Sequence, residues 1–207
     1  MQKFSEGMNL SEKERYWKWA SIADENEAGE LVIGRHHSRE YIKRKNSILE
    51  SISGKNFNEI LYTDVQLPLL NDMLTKVDMM SMANSLEVRT PFLDYTVVDF
   101  AFSLPAEFKI NSSGRKRILR DAFRNKLPQE LYARRKQGFE VPLLKWFQTE
   151  LKSLITDDLL SKKLIEEQGI FDYDVIDALL KKLFSRNPGD AVARVWGLIV
   201  FQYWWKK

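Results

Sequence analysis

The sequence predicts a mainly α-helical chain. Through most of its 207 residues, apolar side chains recur at the three- and four-residue spacing of one helix face. Strands alternating with helices are not evident, and neither of the two common glycine-rich phosphate-binding patterns occurs. We therefore expect a helical chain without a self-contained nucleotide-binding sheet.

Four helices are predicted in the first part of the chain, over residues 10–24, 38–50, 57–66 and 67–84. Ser11 and Glu14 are spaced as in a capping box at the start of the first. Pro68 lies near the first turn of the fourth helix, where proline is tolerated. One face of that helix predicts core packing, through Leu70, Met73, Val77 and Met80.

An extended connector is predicted over residues 85–93, because charged and apolar residues alternate there and Pro91 disfavours helix at Thr90. Asp94 is predicted to cap a helix that ends at Leu104-Pro105. Further helices are predicted over 114–126, from Pro128 to about Arg134, and over 143–156, 172–185 and 190–205. The last is apolar on most sides, so we expect it to be buried or docked.

Composition excludes several classes of function. The 32 basic residues exceed the 29 acidic ones by so little that nucleic-acid binding is not indicated. The chain has no cysteine, so disulfides and a cysteine nucleophile are excluded within it. Without a membrane-length apolar run or a signal sequence, we expect a cytoplasmic protein. The adjacent His36 and His37 favour a solvated loop pair over a metal site.

Three cations follow Gly114, namely Arg115, Lys116 and Arg117, in the predicted first turn of a helix. Cations are unfavourable there by about 0.3–1 kcal/mol each, whereas a bound anion such as phosphate or pyrophosphate would be stabilised. Lys116 also borders the predicted apolar face, so it could enter a partly enclosed cleft. The alternative is that all three are solvated surface cations.

Other charged residues allow two interpretations. Lys76 and Asp78 diverge on a helix, which favours solvent exposure. Glu87 and Arg89 point to the same side of an extended segment, where they form a structural ion pair or bind a polar substrate; we favour the structural interpretation. The basic cluster at 134–139 could contact a phosphate or a neighbouring domain.

Together these segments resemble the asparagine synthetase family. The longest shared motif reads Leu74-x-Lys76-x-Asp78-x-x-Ser81-Met82-Ala83-x-Ser85-Leu86-Glu87-x-Arg89-x-Pro91-Phe92-Leu93-Asp94. Shorter matches are Lys116 to Asp121, Leu127-Pro128, Arg134-x-Lys136-x-Gly138-Phe139-x-x-Pro142, Trp196 and Trp204. The resemblance covers roughly residues 60–205, and residues 1–59 by position only.

The resemblance implies the helical C-terminal portion of an adenine-nucleotide-hydrolase-like (PP-loop ATP pyrophosphatase) α/β synthetase domain. It implies one helical fragment over 1–207, with a lead-in over 1–59 and the family motifs over 60–207. In this family, ATP and Mg²⁺ serve to adenylate the side-chain carboxylate of aspartate, and ammonia from glutamine then displaces AMP. The expected partners are therefore aspartate, ATP, ammonia, a glutaminase domain and a PP-loop subdomain, without nucleic acid or membrane.

The resemblance also implies residue roles. A family lysine matching Lys116 stabilises the pyrophosphate-forming step and the later intermediate. Lys76 matches a position near the substrate pocket, and Arg115 is a binding candidate from its charge alone. The motif residues with an expected structural role are Asp78, Glu87, Arg89, Asp94 and Gly138.

The chain departs from the family pattern in several ways. The S-G-G-x-D-S pyrophosphate loop, the G-E-G-x-D-E-type segment and the glutaminase cysteine are missing, and Met79 stands where arginine is common. We therefore expect a truncated segment that is inactive alone, binds no cofactor tightly, and could form a homodimer through an apolar surface. The alternatives are a non-enzymatic helical interaction domain, or an amidotransferase-like enzyme acting on another carboxylate, as in β-lactam synthetase or exopolysaccharide modification.

Overall fold

The computed structural model describes residues 2–34, 38–112, 114–134, 138 and 141–207, with Gln2 and Lys3 described in their backbone alone. The chain forms two compact units. Unit 1 comprises Met1–Lys43 and Phe139–Lys207, and unit 2 comprises Arg44–Gly138. Most described residues lie in helices, which confirms the predicted fold class.

The first four helices are α1 (Gln2–Gly7), α2 (Glu12–Ala20), α3 (Glu25–Leu31) and α4 (Arg39–Glu50). The capping box of α2 is confirmed, since the backbone N–H of Ser11 donates to the Glu14 carboxylate and the Ser11 hydroxyl accepts from the backbone of Glu14. Asp24 and Glu27 form a second capping box at the start of α3. α3 was not predicted, although Asp24 and Glu27 have the same capping-box spacing as Ser11 and Glu14.

The helices predicted over 57–66 and 67–84 are one continuous helical run. Phe57–Asp64 forms α5, Val65–Leu74 is a π-helix, and Thr75–Met82 forms α6. The predicted break was therefore wrong. Pro68 lies inside the π-helix. Proline lacks the backbone N–H that an α-helix would use there, and the helical run changes to π geometry at this place instead of ending.

The predicted connector is confirmed, since residues 86–90 have no regular structure and a short 3₁₀ turn covers Pro91–Leu93. Asp94 then caps α7 (Tyr95–Ser103), and its carboxylate accepts from the backbone N–H of Thr96 at 2.9 Å. After a second 3₁₀ turn at Ala106–Phe108 come β1 (Ile110–Asn111), β2 (Gly114–Arg115), α8 (Arg117–Ala122) and α9 (Gln129–Ala133).

The last part of the chain contains α10 (Leu143–Gln148), a π-helix (Leu154–Leu159), α11 (Lys162–Gln168), α12 (Tyr173–Leu183) and α13 (Ala191–Trp205). The helix predicted over 143–156 is interrupted at Thr149, whose φ of −124° and ψ of −95° are not helical. α11 was missed. No helix of the described residues is both long and apolar enough to cross a bilayer.

Unit 1 has a contiguous apolar core. Its buried members include Phe147, Ile155, Leu159, Leu160, Ile165, Ile176, Leu183, Val195, Leu198 and Ile199. α13 is docked as expected, with one face buried in this core, whereas Trp196 and Trp204 on its other side are exposed. Backbone hydrogen bonds from Ile33 to Ile170 and from Asp172 to Leu31, both 2.9 Å long, tie the end of α3 to the start of α12.

Unit 2 has almost no core. Among its described residues only Leu49, Ile52 and Thr63 are buried. The face predicted to pack in a core, formed by Leu70, Met73, Val77 and Met80, is exposed instead. Polar contacts hold this unit together, as when the Asn58 side-chain amide donates to the carbonyl of Phe102 at 2.8 Å and of Leu104 at 3.3 Å.

Candidate functional site

A two-stranded hairpin positions Arg115. Ile110 pairs with Arg115 and Asn111 pairs with Gly114 in an antiparallel ladder. Gly114 has a φ of +143°, which side-chain-bearing residues rarely adopt. A Cβ on Gly114 would also lie 3.0 Å from Nη1 of Arg120, so glycine lets the hairpin approach that guanidinium.

The hairpin changes the predicted position of the three cations. Arg115 lies in β2, Lys116 precedes α8 with a left-handed φ of 57°, and Arg117 alone lies in the helix. The helix predicted over 114–126 was therefore wrong at both ends. Because the cations do not share a first helical turn, the dipole argument for an anion at Lys116 no longer applies. Lys116 is exposed, and it is not among the residues that line the neighbouring cavity.

The neighbouring cavity has a volume of about 480 Å³, and we call it the basic cavity of unit 2. Its lining is formed by the hairpin, α8, the turn after α8, and α9. The lining residues are Asn111, Gly114, Arg115, Arg117, Arg120, Asp121, Arg124, Gln129 and Tyr132. The cavity therefore brings four arginines together with one carboxylate.

Two of the four guanidinium groups form hydrogen bonds or an ion pair with other residues of unit 2. Arg117 donates to the carbonyl of Glu107 at 3.0 Å, and its Nε lies 3.5 Å from the Asp121 carboxylate. Arg120 donates to the carbonyl of Tyr132 at 3.0 Å. Neither the Arg115 nor the Arg124 side chain has a hydrogen bond or ion pair with a described residue, so both can bind a ligand.

Electrostatics favours an anion in this cavity. Two like charges 4 Å apart repel by about 1 kcal/mol in water and about 4 kcal/mol near a protein surface. Asp121 is paired with Arg117, which leaves three arginines of the lining without a carboxylate of their own. A planar guanidinium group can donate two parallel hydrogen bonds to the oxygens of a phosphate or a carboxylate. The arrangement can therefore bind a phosphate-type or carboxylate anion.

The structure places Lys76 and Asp78 on α6, outside the basic cavity. The ammonium of Lys76 lies 3.5 Å from the Asp72 carboxylate, one helical turn earlier, and both side chains are exposed. Asp78 is also exposed, as the two-residue spacing predicted. Neither Lys76 nor Asp78 is among the described residues that line the basic cavity with Arg115.

Glu87 and Arg89 form the predicted ion pair at 2.6 Å, with both side chains exposed. Hydrogen bonds from the side chain and backbone of Thr96 lower the pKa of the Asp94 carboxyl below its ordinary value, which fits a capping role. Gly138 is exposed. His36, His37, the stretch Arg135-Lys136-Gln137, Phe139 and Glu140 lie outside the described residues.

Arg120, Arg124 and Tyr132 also belong to this site and were not predicted. Arg117, Arg120 and Arg124 follow each other at three- and four-residue spacing, which places cations on one side of a helical segment. This spacing is therefore a signal for the two additional arginines in the sequence itself. Among the described residues, no three histidine, aspartate or glutamate side chains are grouped to hold a metal ion.

Comparison with known proteins gives one family. The family profile of asparagine synthase matches residues 2–206. Asparagine synthetase [glutamine-hydrolyzing] 1 of Bacillus subtilis is 30% identical over 197 residues, which cover 93% of this chain and 30% of the relative. The asparagine synthetase of Gallus gallus is 30% identical over 163 residues, covering 65% of this chain and 29% of the relative.

A putative asparagine synthetase of Mycobacterium tuberculosis is 34% identical over 140 residues, covering 66% of this chain and 20% of the relative. The chain thus spans less than a third of the length of these curated relatives. No solved structure matches it significantly. Because the family profile extends over nearly all of its residues, the chain belongs to the asparagine synthase family.

Proposed function

We propose that the protein carrying this chain is a glutamine-dependent asparagine synthetase. The side-chain carboxylate of aspartate attacks the α-phosphorus of ATP, and pyrophosphate leaves. Ammonia released from glutamine then attacks the activated carbonyl carbon, and AMP leaves as asparagine forms. The observation that carries this proposal is the family match over residues 2–206.

The basic cavity supplies a physical reason why this segment could take part in the proposed reaction. ATP, pyrophosphate and aspartate all carry anionic oxygens, and the cavity offers Arg115 and Arg124, whose side chains have no partner among the described residues, to receive them. We propose that Arg115 binds such a group and that Lys116, beside it in the chain, stabilises charge in the adenylation step. Lys76 is a second binding candidate, carried over from the family resemblance.

Magnesium is a hard cation that binds through carboxylates and phosphate oxygens. Among the described lining residues of the basic cavity, only Asp121 carries a carboxylate, and Arg117 is already paired with it. We therefore assign no magnesium ligand to this cavity. We also propose that the 207-residue segment alone does not form asparagine, since its sequence lacks a pyrophosphate-binding loop.

The products test the proposed reaction. The protein carrying this chain should convert ATP, aspartate and ammonium or glutamine into equal amounts of AMP, pyrophosphate and asparagine. The isolated segment, assayed beside it, should form none. Formation of ADP and phosphate would contradict the adenylation chemistry.

Variants test the residue roles. Lys116→Leu should lower pyrophosphate release about 100-fold or more, as expected when a group stabilising transition-state charge is lost. Lys126→Leu is the matched control, because Lys126 is an exposed lysine of the same unit outside the cavity. Arg115→Leu and Arg124→Leu should raise the KM for ATP or aspartate. Unchanged KM values for ATP and aspartate in both arginine variants would show that the cavity binds neither substrate.

A second candidate is an amidation enzyme acting on another carboxylate, whose anionic oxygens would fit the same basic cavity. A panel of carboxylic acids, assayed for AMP release, separates the two candidates. AMP release with another acid but not with aspartate would favour the second.

A further inference from the structure

Lys116 has a backbone conformation that a lysine does not favour. Its φ of 57° and ψ of 37° lie in the left-handed region, which costs a lysine free energy that glycine would not lose. Such a conformation persists only where neighbouring contacts hold it. The contacts on either side of Lys116 therefore determine the direction in which its side chain leaves the backbone.

Arg117 makes two of these contacts. Its backbone N–H donates to the carbonyl of Lys109 at 3.1 Å, and its guanidinium donates to the carbonyl of Glu107 at 3.0 Å. Both bonds run from the start of α8 back to the residues that precede β1, on the other side of the hairpin. The carbonyl of Lys116 accepts the backbone N–H of Arg120 at 3.0 Å. The backbone of Lys116 is therefore fixed between the hairpin and α8.

Helix stability does not account for an arginine at position 117. This position is the first residue of α8, where the helix dipole disfavours a cation. The ion pair with Asp121 is 3.5 Å long and both side chains are exposed, so it contributes little to stability. Among the described residues, the remaining side-chain contact of Arg117 is its hydrogen bond to the Glu107 carbonyl.

The segment that accepts these bonds is itself fixed. The ammonium of Lys109 donates to the side-chain carbonyl of Asn58 in α5, and it lies 5.3 Å from the centre of the Phe102 ring. The amide of Asn58 donates to the carbonyls of Phe102 at 2.8 Å and Leu104 at 3.3 Å. A continuous set of contacts therefore connects α5 and the end of α7 to the start of α8.

We propose that Arg117 is a positioning residue for Lys116. Its two hydrogen bonds hold the left-handed backbone, so that the amine of Lys116 keeps one direction during the reaction. The inference rests on the proposed function, in which Lys116 stabilises charge in the adenylation step. In this role Arg117 contacts no reacting atom, although it lines the basic cavity. A displacement of about 1 Å at a reacting group can cost about 100-fold in rate, so its loss should lower kcat.

Arg117→Leu, made in the protein carrying this chain, removes the guanidinium and leaves the backbone N–H. Its kcat for pyrophosphate release should fall about 10- to 100-fold, while KM for ATP and aspartate changes by less than about twofold. Arg117→Lys keeps one donor for the Glu107 carbonyl and should recover part of the loss. The matched control is Arg44→Leu, which should keep its kcat. Arg44 is an exposed arginine of unit 2 that donates to Asn71 at 3.1 Å, outside the cavity.

A double variant shows whether Arg117 acts through Lys116. Combined Lys116→Leu and Arg117→Leu should release pyrophosphate no more slowly than Lys116→Leu alone, because the amine that Arg117 positions is already absent. A further loss in the double variant would overturn the inference. A raised KM with unchanged kcat in Arg117→Leu would do the same, since Arg117 would then bind a substrate itself.

Hydrogen exchange gives a readout that does not depend on the reaction. In Arg117→Leu, the amides of α8 should exchange roughly 10-fold faster, while those of α12 keep their protection. Unchanged exchange of α8 would show that Arg117 does not hold this segment, which would overturn the inference.

The single variants separate this inference from the proposed function. Normal pyrophosphate release by Arg117→Leu, beside a loss in Lys116→Leu, would overturn the positioning role alone. Normal release by Lys116→Leu would overturn the positioning role together with the role of Lys116 in the adenylation step.

Discussion

The two units of this chain are stabilised in different ways. Unit 1 buries a contiguous set of large apolar side chains, whereas unit 2 buries only Leu49, Ile52 and Thr63 among its described residues. Yet unit 2 is rich in apolar residues, many of them exposed, such as Met73, Met80 and Phe100. Hydrophobic content alone therefore does not make a core. The apolar faces must also meet one another.

The largest expected effect is a core truncation in unit 1. Phe147 is 0% exposed, so Phe147→Ala should lower the free energy of unfolding by about 3–5 kcal/mol. Phe100, which is 58% exposed in unit 2, is the matched position, and Phe100→Ala should cost less than about 1 kcal/mol.

Urea unfolding can separate the two units. All six tryptophans lie in unit 1, so their fluorescence reports that unit alone, while far-ultraviolet circular dichroism reports helices of both. Equal losses for the two phenylalanine variants would contradict the difference in burial.

Hydrogen exchange should show the same contrast without mutation. Amides in the middle of α12, beside the buried Ile176 and Leu180, should exchange roughly 100-fold more slowly than those of α6, because local opening of α6 exposes little new apolar surface. Mass spectrometry of peptides from each helix provides the measurement. Comparable protection of α6 would show that unit 2 is stabilised by contacts other than burial.

Helix caps should contribute a larger share of the stability of unit 2, because that unit lacks a core. Asp94→Ala removes the hydrogen bond that caps α7, and it should destabilise that helix by about 0.5–2 kcal/mol. Asp94→Asn keeps an acceptor and should recover most of the loss. The loss of helical circular dichroism on heating is the readout, and equal effects of both substitutions would exclude the capping explanation.

The smallest expected effect is a pH dependence in unit 1. Burial alone would raise the pKa of Asp190, but the hydrogen bond from Lys182 and the charge of Arg194 outweigh it and lower that pKa. A lowered carboxyl pKa contributes stability that is present above the unfolded value of about 4 and is lost as pH falls through the folded value.

The fall in melting temperature from pH 7 to pH 3 should therefore be about 1–3 °C smaller in Asp190→Asn than in the unaltered chain. Asp174→Asn serves as a control, since Asp174 has no ion pair in the structure among the described residues. An unchanged pH dependence in Asp190→Asn would contradict the role of this ion-pair network.

Local signals in the sequence predicted much of the helical fold. The capping residues Ser11 and Asp94 act on neighbouring backbone, so their roles could be read from spacing alone. The hairpin could not, because Gly114 and Arg115 pair with residues three and five positions away instead of continuing into α8. Periodicity likewise predicted an apolar face at Met73 and Met80 but could not tell whether anything covers it.

The candidate site was predicted only in part. The cationic stretch at 115–117 drew attention to the right segment, but the cavity is formed by Arg120, Arg124 and Tyr132 as well. The return of the chain through α9 brings Tyr132 to α8, where Arg120 donates to its carbonyl. Such a contact depends on the path of the turn after α8, which no short motif encodes.

The backbone at Lys116 has a consequence for directed evolution. Its φ of 57° is a conformation that costs a lysine roughly 1–2 kcal/mol and costs glycine almost nothing, with asparagine between them. A library selected for heat resistance alone should therefore enrich glycine or asparagine at position 116. A library selected for asparagine production should retain lysine if its amine serves the reaction. Enrichment of glycine or asparagine in both libraries would mean that the lysine is dispensable.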